Sequence, residues 1–128
     1  MRRTPVSDRR AERARRTRPA VVVLHQVCPD SRCCLRELTA GMEEEGVPFR
    51  VEKAAAEAGG AAELAYAAAH ASTLDVGIGV DAVGHICVHH AKLPPDAPAL
   101  TGPPRHARSL GHNAARLVTG IPFKKVAQ

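Results

Sequence analysis

Leu74-Asp-Val-Gly-Ile-Gly-Val-Asp-Ala-Val-Gly-His-Ile-Cys-Val-His89 decides the fold class of this 128-residue chain. Two short apolar runs, Leu74–Val80 and His85–His89, flank Asp81-Ala82-Val83-Gly84. Runs of this length, rich in Val and Ile and bounded by a Gly-containing break, predict strands. The break is short enough for a turn, so the two runs predict an antiparallel hairpin. Gly77 and Gly79 lie on one face of the first run, and glycine in a strand marks close backbone approach.

Upstream, Ala20–Leu24 follows Pro19 and reads as a buried strand. Pro29-Asp30-Ser31 breaks it, and Asp30 or Ser31 can cap a helix. Leu35, Leu38 and Met42 recur at i, i+3 and i+7 on one helical face. Gly46 ends that helix and Pro48 prevents its resumption. Pro48–Val51 predicts a second strand. Gly59-Gly60 then opens Ala61–Ala71, a helix by alanine propensity whose small side chains let it lie close to a sheet. Downstream, Leu93–Pro104 holds five of the ten prolines, a stiff connection with a short edge strand near Ala99-Leu100. Leu110, Ala114, Leu117 and Val118 mark a last helix, stopped by Gly120 before Ile121-Pro122-Phe123. The order β-α-β-α-β-β-(β)-α predicts an α/β fold with a mostly parallel sheet and helices on both faces. No internal repeat is visible.

The net charge of +5 suggests nucleic acid or an acidic surface, but its position argues otherwise. Residues 1–18 carry eight arginines against Asp8 and Glu12, a net +6, and the remaining ten Lys+Arg face eleven acids, a net −1. The basicity belongs to an arm that reads as disordered, and residues 19–128 form a single near-neutral domain. The arm fits a transit peptide, an over-long start or a flexible tail. No apolar run approaches a membrane span, and no apolar core follows the basic start as in a secretory signal. Cys28, Cys33, Cys34 and Cys87 are expected as reduced thiols in a cytosol. Phe49, Tyr66 and Phe123 are the only aromatic residues, too few for a base-stacking platform, so nucleic-acid binding would rest on the arm alone.

Glu43-Glu44-Glu45 is the most informative local feature. Three carboxylates occupy the last helical turn, where the helix dipole favours cations and each misplaced acid costs about 0.3–1 kcal/mol. Successive helical residues point about 100° apart, so the three cannot chelate one ion together. One can ligate a hard cation while the others face solvent or a basic partner; the bland alternative is a solvated acidic helix end. His25, Cys28, Cys33 and Cys34, and His85, Cys87, His89 and His90, form two Cys/His groups. Their spacing is not that of a structural zinc site, and core packing is the simpler reading. No dinucleotide fingerprint or P-loop is present. Lys92 with its prolines, and Asn113 and Arg116 on the last helix, offer a partner surface or plain surface roles.

Three segments together bring a family into view: Gly41-Met-Glu-Glu-Glu-Gly-Val-Pro-Phe-Arg50, Leu74-Asp-Val-Gly-Ile-Gly79 through His89 to Leu93-Pro94, and Gly111-His-Asn-Ala-Ala-Arg-Leu-Val-Thr-Gly-Ile-Pro-Phe-Lys124. From about Pro19 to Val126 the chain resembles the small subunit of the glycerol/diol dehydratase reactivating factor. The resemblance implies a three-layer α/β/α sandwich with a mixed, mostly parallel sheet of four or five strands, like anticodon-binding domains and the medium (β) subunit of the dehydratase. It implies a non-catalytic, chaperone-like subunit, without catalytic or cofactor-binding residues of its own. With an ATP-hydrolysing large subunit, such a protein releases damaged cobalamin from inactivated adenosylcobalamin-dependent glycerol or diol dehydratase. The implied assembly is two large and two small subunits, with transient contact to the dehydratase, in the cytoplasm or a microcompartment. ATP or ADP sits on the large subunit. The middle acid of the triplet, Glu44, is the implied ligand to a magnesium or calcium ion shared with that subunit, leaving Glu43 and Glu45 solvated. The Arg-rich arm, Cys33-Cys34 and His89-His90 depart from the family pattern. The alternatives are a medium subunit of the dehydratase itself, a nucleic-acid-binding module, and a Cys/His metal or redox protein.

Overall fold

The computed structural model describes residues 18–27, 31–55 and 58–124, with the side chains of 31–33 left aside. The arm proposed for residues 1–18, apart from Arg18, lies outside the described residues, as do Cys28, Pro29, Asp30 and the side chain of Cys33. In chain order the elements are β1 (Val21–His25), α1 (Ser31–Glu44), β2 (Phe49–Lys53), α2 (Ala61–Ala71), β3 (Val76–Val80), β4 (Ile86–His90) and β5 (Leu100–Gly102). A 3₁₀ turn over Pro104–His106 then leads into α3 (Ala107–Thr119).

The five strands form one sheet in the order β2-β1-β3-β4-β5. β1 runs parallel to both β2 and β3, whereas β3–β4 and β4–β5 are antiparallel. The expected sheet was mostly parallel; the pairings instead divide evenly. The cause is the chain after β3: Asp81–Gly84 closes a hairpin in which the Asp81 carboxylate accepts from the Val83 and His85 N–H groups. The proline-rich connection then returns β5 to the edge without a helix.

The sheet separates two helical layers. Val21, Val23, Val76, Ile78, Val80, Ile86 and Val88 point to the side where α1 and α3 pack, and meet Leu38, Met42, Leu110 and Ala114. Full burial of each larger side chain contributes about 1.5–3 kcal/mol. On the other side α2 covers β1, β3 and β4, and at two strand glycines its backbone comes into direct contact with the sheet. A Cβ on Gly77 would stand 2.0 Å from the Ala69 nitrogen, and one on Gly79 would stand 2.2 Å from the Ala61 carbonyl oxygen. The two strand glycines and the alanine-rich helix are therefore one device, a backbone-to-backbone contact that excludes larger residues from both partners.

The α1–α3 contact uses the same device. A Cβ on Gly111 would stand 2.0 Å from the Leu38 carbonyl oxygen, and one on Gly41 would stand 2.3 Å from that of Arg108. Both helices end on a left-handed glycine, Gly46 at φ 74° and Gly120 at φ 77°. After Gly120 the chain folds back along α3. The buried Asn113 amide donates to the Lys124 carbonyl at 3.1 Å, and its oxygen accepts from the Lys124 N–H at 2.7 Å. Asn113 thus holds the C-terminal segment instead of lying on the surface.

Gly79→Ala and Gly111→Ala should each destabilise the domain by about 2–3 kcal/mol, because the added methyl meets backbone that cannot move aside. Gly46→Ala, whose Cβ would meet nothing within 4 Å, should cost only about 1 kcal/mol for its left-handed backbone. Urea unfolding midpoints check the ranking.

Candidate functional site

The close approach of α1 and α3 sets the acidic end of α1 against a basic row on α3. Arg108, His112 and Arg116 recur at i, i+4 and i+8, so they lie along one helical face. Their partners on α1 advance in step with them. Arg108 reaches Glu37 and Glu44, His112 reaches Glu44 and Glu45, and Arg116 reaches Glu45. The two helices therefore run side by side in the same direction.

Glu44 is the most heavily engaged acid. Arg108 Nε donates to its Oε1 at 3.2 Å and Arg108 Nη2 to its Oε2, a two-pronged contact, while His112 Nε2 stands 2.7 Å from Oε1. The hydrogen bonds from Arg108, and secondarily from His112, hold the Glu44 carboxyl down to about 2 from its ordinary 4.5. The same pairing pushes the Arg108 guanidinium further up. Glu44 stays accessible, its side chain 43% exposed.

Glu45 behaves differently from the expectation of a solvated residue. It lies just past the last helical residue, is only 15% exposed, and accepts from Arg116 Nε at 3.1 Å. Its Oε2 also stands 2.7 Å from His112 Nδ1, and His112 with Arg116 lowers its carboxyl as well. His112 is therefore wedged between two carboxylates, and the ring donates to both when it carries both protons. Glu43 is exposed, as expected. Glu44 and Glu45, ill placed for their own helix dipole, are compensated by side chains of the neighbouring helix.

Of the α3 row only Arg116 is a sequence-level candidate, as a surface residue. It is instead tied to Glu45 and to the Pro122 carbonyl, which Nη1 reaches at 3.1 Å. Arg108 and His112 are missed by motif reasoning. The available signal was the Arg108-x₃-His112-x₃-Arg116 spacing, a basic helical stripe matching an acidic one in the same chain.

The Cys/His groups are dispersed. Cys34 is buried in the α1–α3 core. Cys87 packs against Ala61 and Ala65 of α2, and burial pushes its thiol up, away from the reactive thiolate. His89 lies under α2 with its ring edge-on to Tyr66 at 5.1 Å, and its Nδ1 stands 3.0 Å from the His90 carbonyl oxygen. His85 is exposed beside Asp81, and His90 accepts from the Lys92 N–H. Among the described residues no three His, Cys, Asp or Glu side chains converge as a metal cage. Glu44 offers a different fit: one ionised, accessible carboxylate whose oxygens already attract a cation, the Arg108 guanidinium. That suits a single ligand contributed to an ion whose other ligands come from elsewhere.

A three-layer α/β sandwich carrying an acidic–basic helix pair at one end is the class of protein defined so far. Residues 18–124 match the family described as dehydratase medium subunit, and the chain belongs to that family. It is similar to the diol dehydratase-reactivating factor small subunit of Klebsiella michiganensis, 43% identical over 93 residues (70% of this chain, 72% of the relative). It is also similar to the propanediol dehydratase-reactivating factor small subunit of Salmonella typhimurium, 39% identical over 110 residues (83% and 90%). Among solved structures, a chain of glycerol dehydratase reactivase superposes with a TM-score of 0.76 at 38% identity, covering 84% of this chain and 97% of that one. A chain of diol dehydratase-reactivating factor complexed with ADP and Mg²⁺ superposes with a TM-score of 0.74 at 38% identity, covering 85% and 100%. The chain thus aligns with reactivating-factor small subunits through nearly the whole domain.

Because Glu44 titrates lower folded than unfolded, its pairing stabilises the protein fully above about pH 4.5 and is lost as pH falls through about 2. The thermal stability of Glu44→Gln should therefore lie below wild type at neutral pH and converge on it across that acid window. A gap that stays constant with pH would contradict the assignment.

Proposed function

We propose that this protein is the small, non-catalytic subunit of a reactivating factor for an adenosylcobalamin-dependent diol or glycerol dehydratase. Its partner is a large subunit that binds and hydrolyses ATP, and the complex releases damaged cobalamin from the inactivated enzyme. The observation that carries this reading is the near-complete coverage of solved reactivase chains at 38% identity, joined to curated relatives that are reactivating-factor small subunits. The near-neutral domain, with its charges paired internally at the α1–α3 end, argues against a nucleic-acid module. The dehydratase medium subunit is the remaining rival because the matched family bears that description.

Within this reading Glu44 is the residue offered to a magnesium or calcium ion shared with the large subunit. When bound, that ion would link the two chains through the Glu44 carboxylate on this side. This chain's part is to keep Glu44 fixed in direction, which His112 does, and to keep Glu45 out of reach, which His112 and Arg116 do. The proposed assembly is two large and two small subunits, with transient contact to the dehydratase, located in the cytoplasm or within a microcompartment.

The test is reconstitution. The small subunit with its cognate large subunit, ATP, Mg²⁺ and fresh adenosylcobalamin should restore activity to glycerol-inactivated dehydratase, and neither subunit alone should do so. Failure of the pair to rescue would overturn the reading, and tight cobalamin binding together with the dehydratase catalytic subunit would favour the medium-subunit alternative. Glu44→Ala should weaken large-subunit association about tenfold or more, while Glu43→Ala should leave it within about twofold, as measured by calorimetry. Equal small effects would remove Glu44 from the interface.

A further inference from the structure

We infer that Arg108 is a built-in substitute for the shared cation, occupying the Glu44 carboxylate in the free subunit and moving onto Glu37 when the ion arrives. This rests on the reading of Glu44 as a cation ligand and adds the residue that tunes it.

Three features of the α1–α3 end support the exchange. The first is the geometry of the existing pair. Arg108 contacts both oxygens of Glu44, Nε on Oε1 and Nη2 on Oε2. A hard divalent ion needs at least one of those oxygens and repels a guanidinium at this distance, so the two cations compete.

The second is a waiting alternative. The third nitrogen, Nη1, already lies 3.3 Å from Glu37 Oε1, two turns back along α1. On releasing Glu44, Arg108 keeps a carboxylate partner and needs no backbone change. All three side chains are between 42% and 48% exposed, so water can solvate each intermediate arrangement and the pair is held only weakly.

The third is a division of labour around Glu44. His112 approaches Oε1 from the buried side, itself only 11% exposed and anchored by Glu45. It holds the carboxylate in direction while Arg108 covers it from the solvent side. His112 is thus a positioning residue, and Arg108 is the removable one. Glu45, satisfied by His112 and Arg116, cannot take over either role.

The experiment follows association of the full chain with its large subunit across a Mg²⁺ series at neutral pH, by sedimentation or calorimetry. Glu44 stays ionised there even without Arg108, since an ordinary carboxyl titrates near 4.5. Arg108→Gln should lower the half-saturating Mg²⁺ concentration about three- to fivefold, the equivalent of removing one competing surface ion pair. Glu37→Gln should move it the opposite way, because the displaced guanidinium then has no carboxylate to receive it. An unchanged or raised value for Arg108→Gln would overturn the exchange, as would an unchanged value for Glu37→Gln. Glu44→Gln separates the two levels of the argument. If it leaves the Mg²⁺ dependence intact, the cation reading of Glu44 fails. If it abolishes that dependence while Arg108→Gln does not lower the half-saturating value, the exchange alone fails. Circular dichroism and melting of each variant, all altered at exposed side chains, check that the fold is retained.

Discussion

The contact between α1 and α3 through Gly41 and Gly111 is the constraint on which the rest of the structure depends. A Cβ at Gly41 would stand 2.3 Å from the Arg108 carbonyl oxygen and one at Gly111 2.0 Å from that of Leu38, so either would force the helices apart. The ion pairs beyond the glycines are individually weak at an exposed helix end. They form a network only because the backbones are held so close that Arg108, His112 and Arg116 each find a carboxylate on the neighbouring helix. Backbone proximity thus comes first, and the electrostatics follow from it.

A second glycine pair makes the same choice on the opposite side of the sheet. Gly77 and Gly79 admit the backbone of α2 closely onto the strands, against Ala61, Ala65, Ala68 and Ala69. The result is a thin layer on that side and a thick one, filled by Leu38, Met42, Ile78, Ile86 and Leu110, on the other. The larger hydrophobic contribution therefore sits beneath α1 and α3, the helices that carry the acidic–basic end. The charged α1–α3 end thus rests on the better-packed side of the sheet.

The charge distribution resolves an apparent contradiction. The chain as a whole is basic, yet the domain carries a slight net negative charge, and the chemistry offered at its α1–α3 end is a carboxylate. Glu44 differs from Glu45 not by residue type but by exposure: Glu45 is enclosed by His112 and Arg116, whereas Glu44 faces solvent with a half-exposed guanidinium on it. Three consecutive identical residues thereby acquire three different environments, one free in solvent, one accessible and held, one enclosed.

Element positions were legible in the sequence because their determinants are local: apolar period, β-branched runs, and glycines and prolines at the ends. The hairpin after β3, the edge strand near Leu100 and the stops at Gly46 and Gly120 all follow from a few adjacent residues. The family, too, was readable from three short segments. The even division of parallel and antiparallel pairings was less legible, since a proline-rich connection does not state which edge it returns to. The fate of Glu45, the clamp made by Asn113 and the roles of Arg108 and His112 were decided only by tertiary structure. The ion-pair partners lie 64 to 71 residues apart in the chain, and no local rule links them. What links them is the crossing of two helices at a glycine contact, a property of the packed molecule.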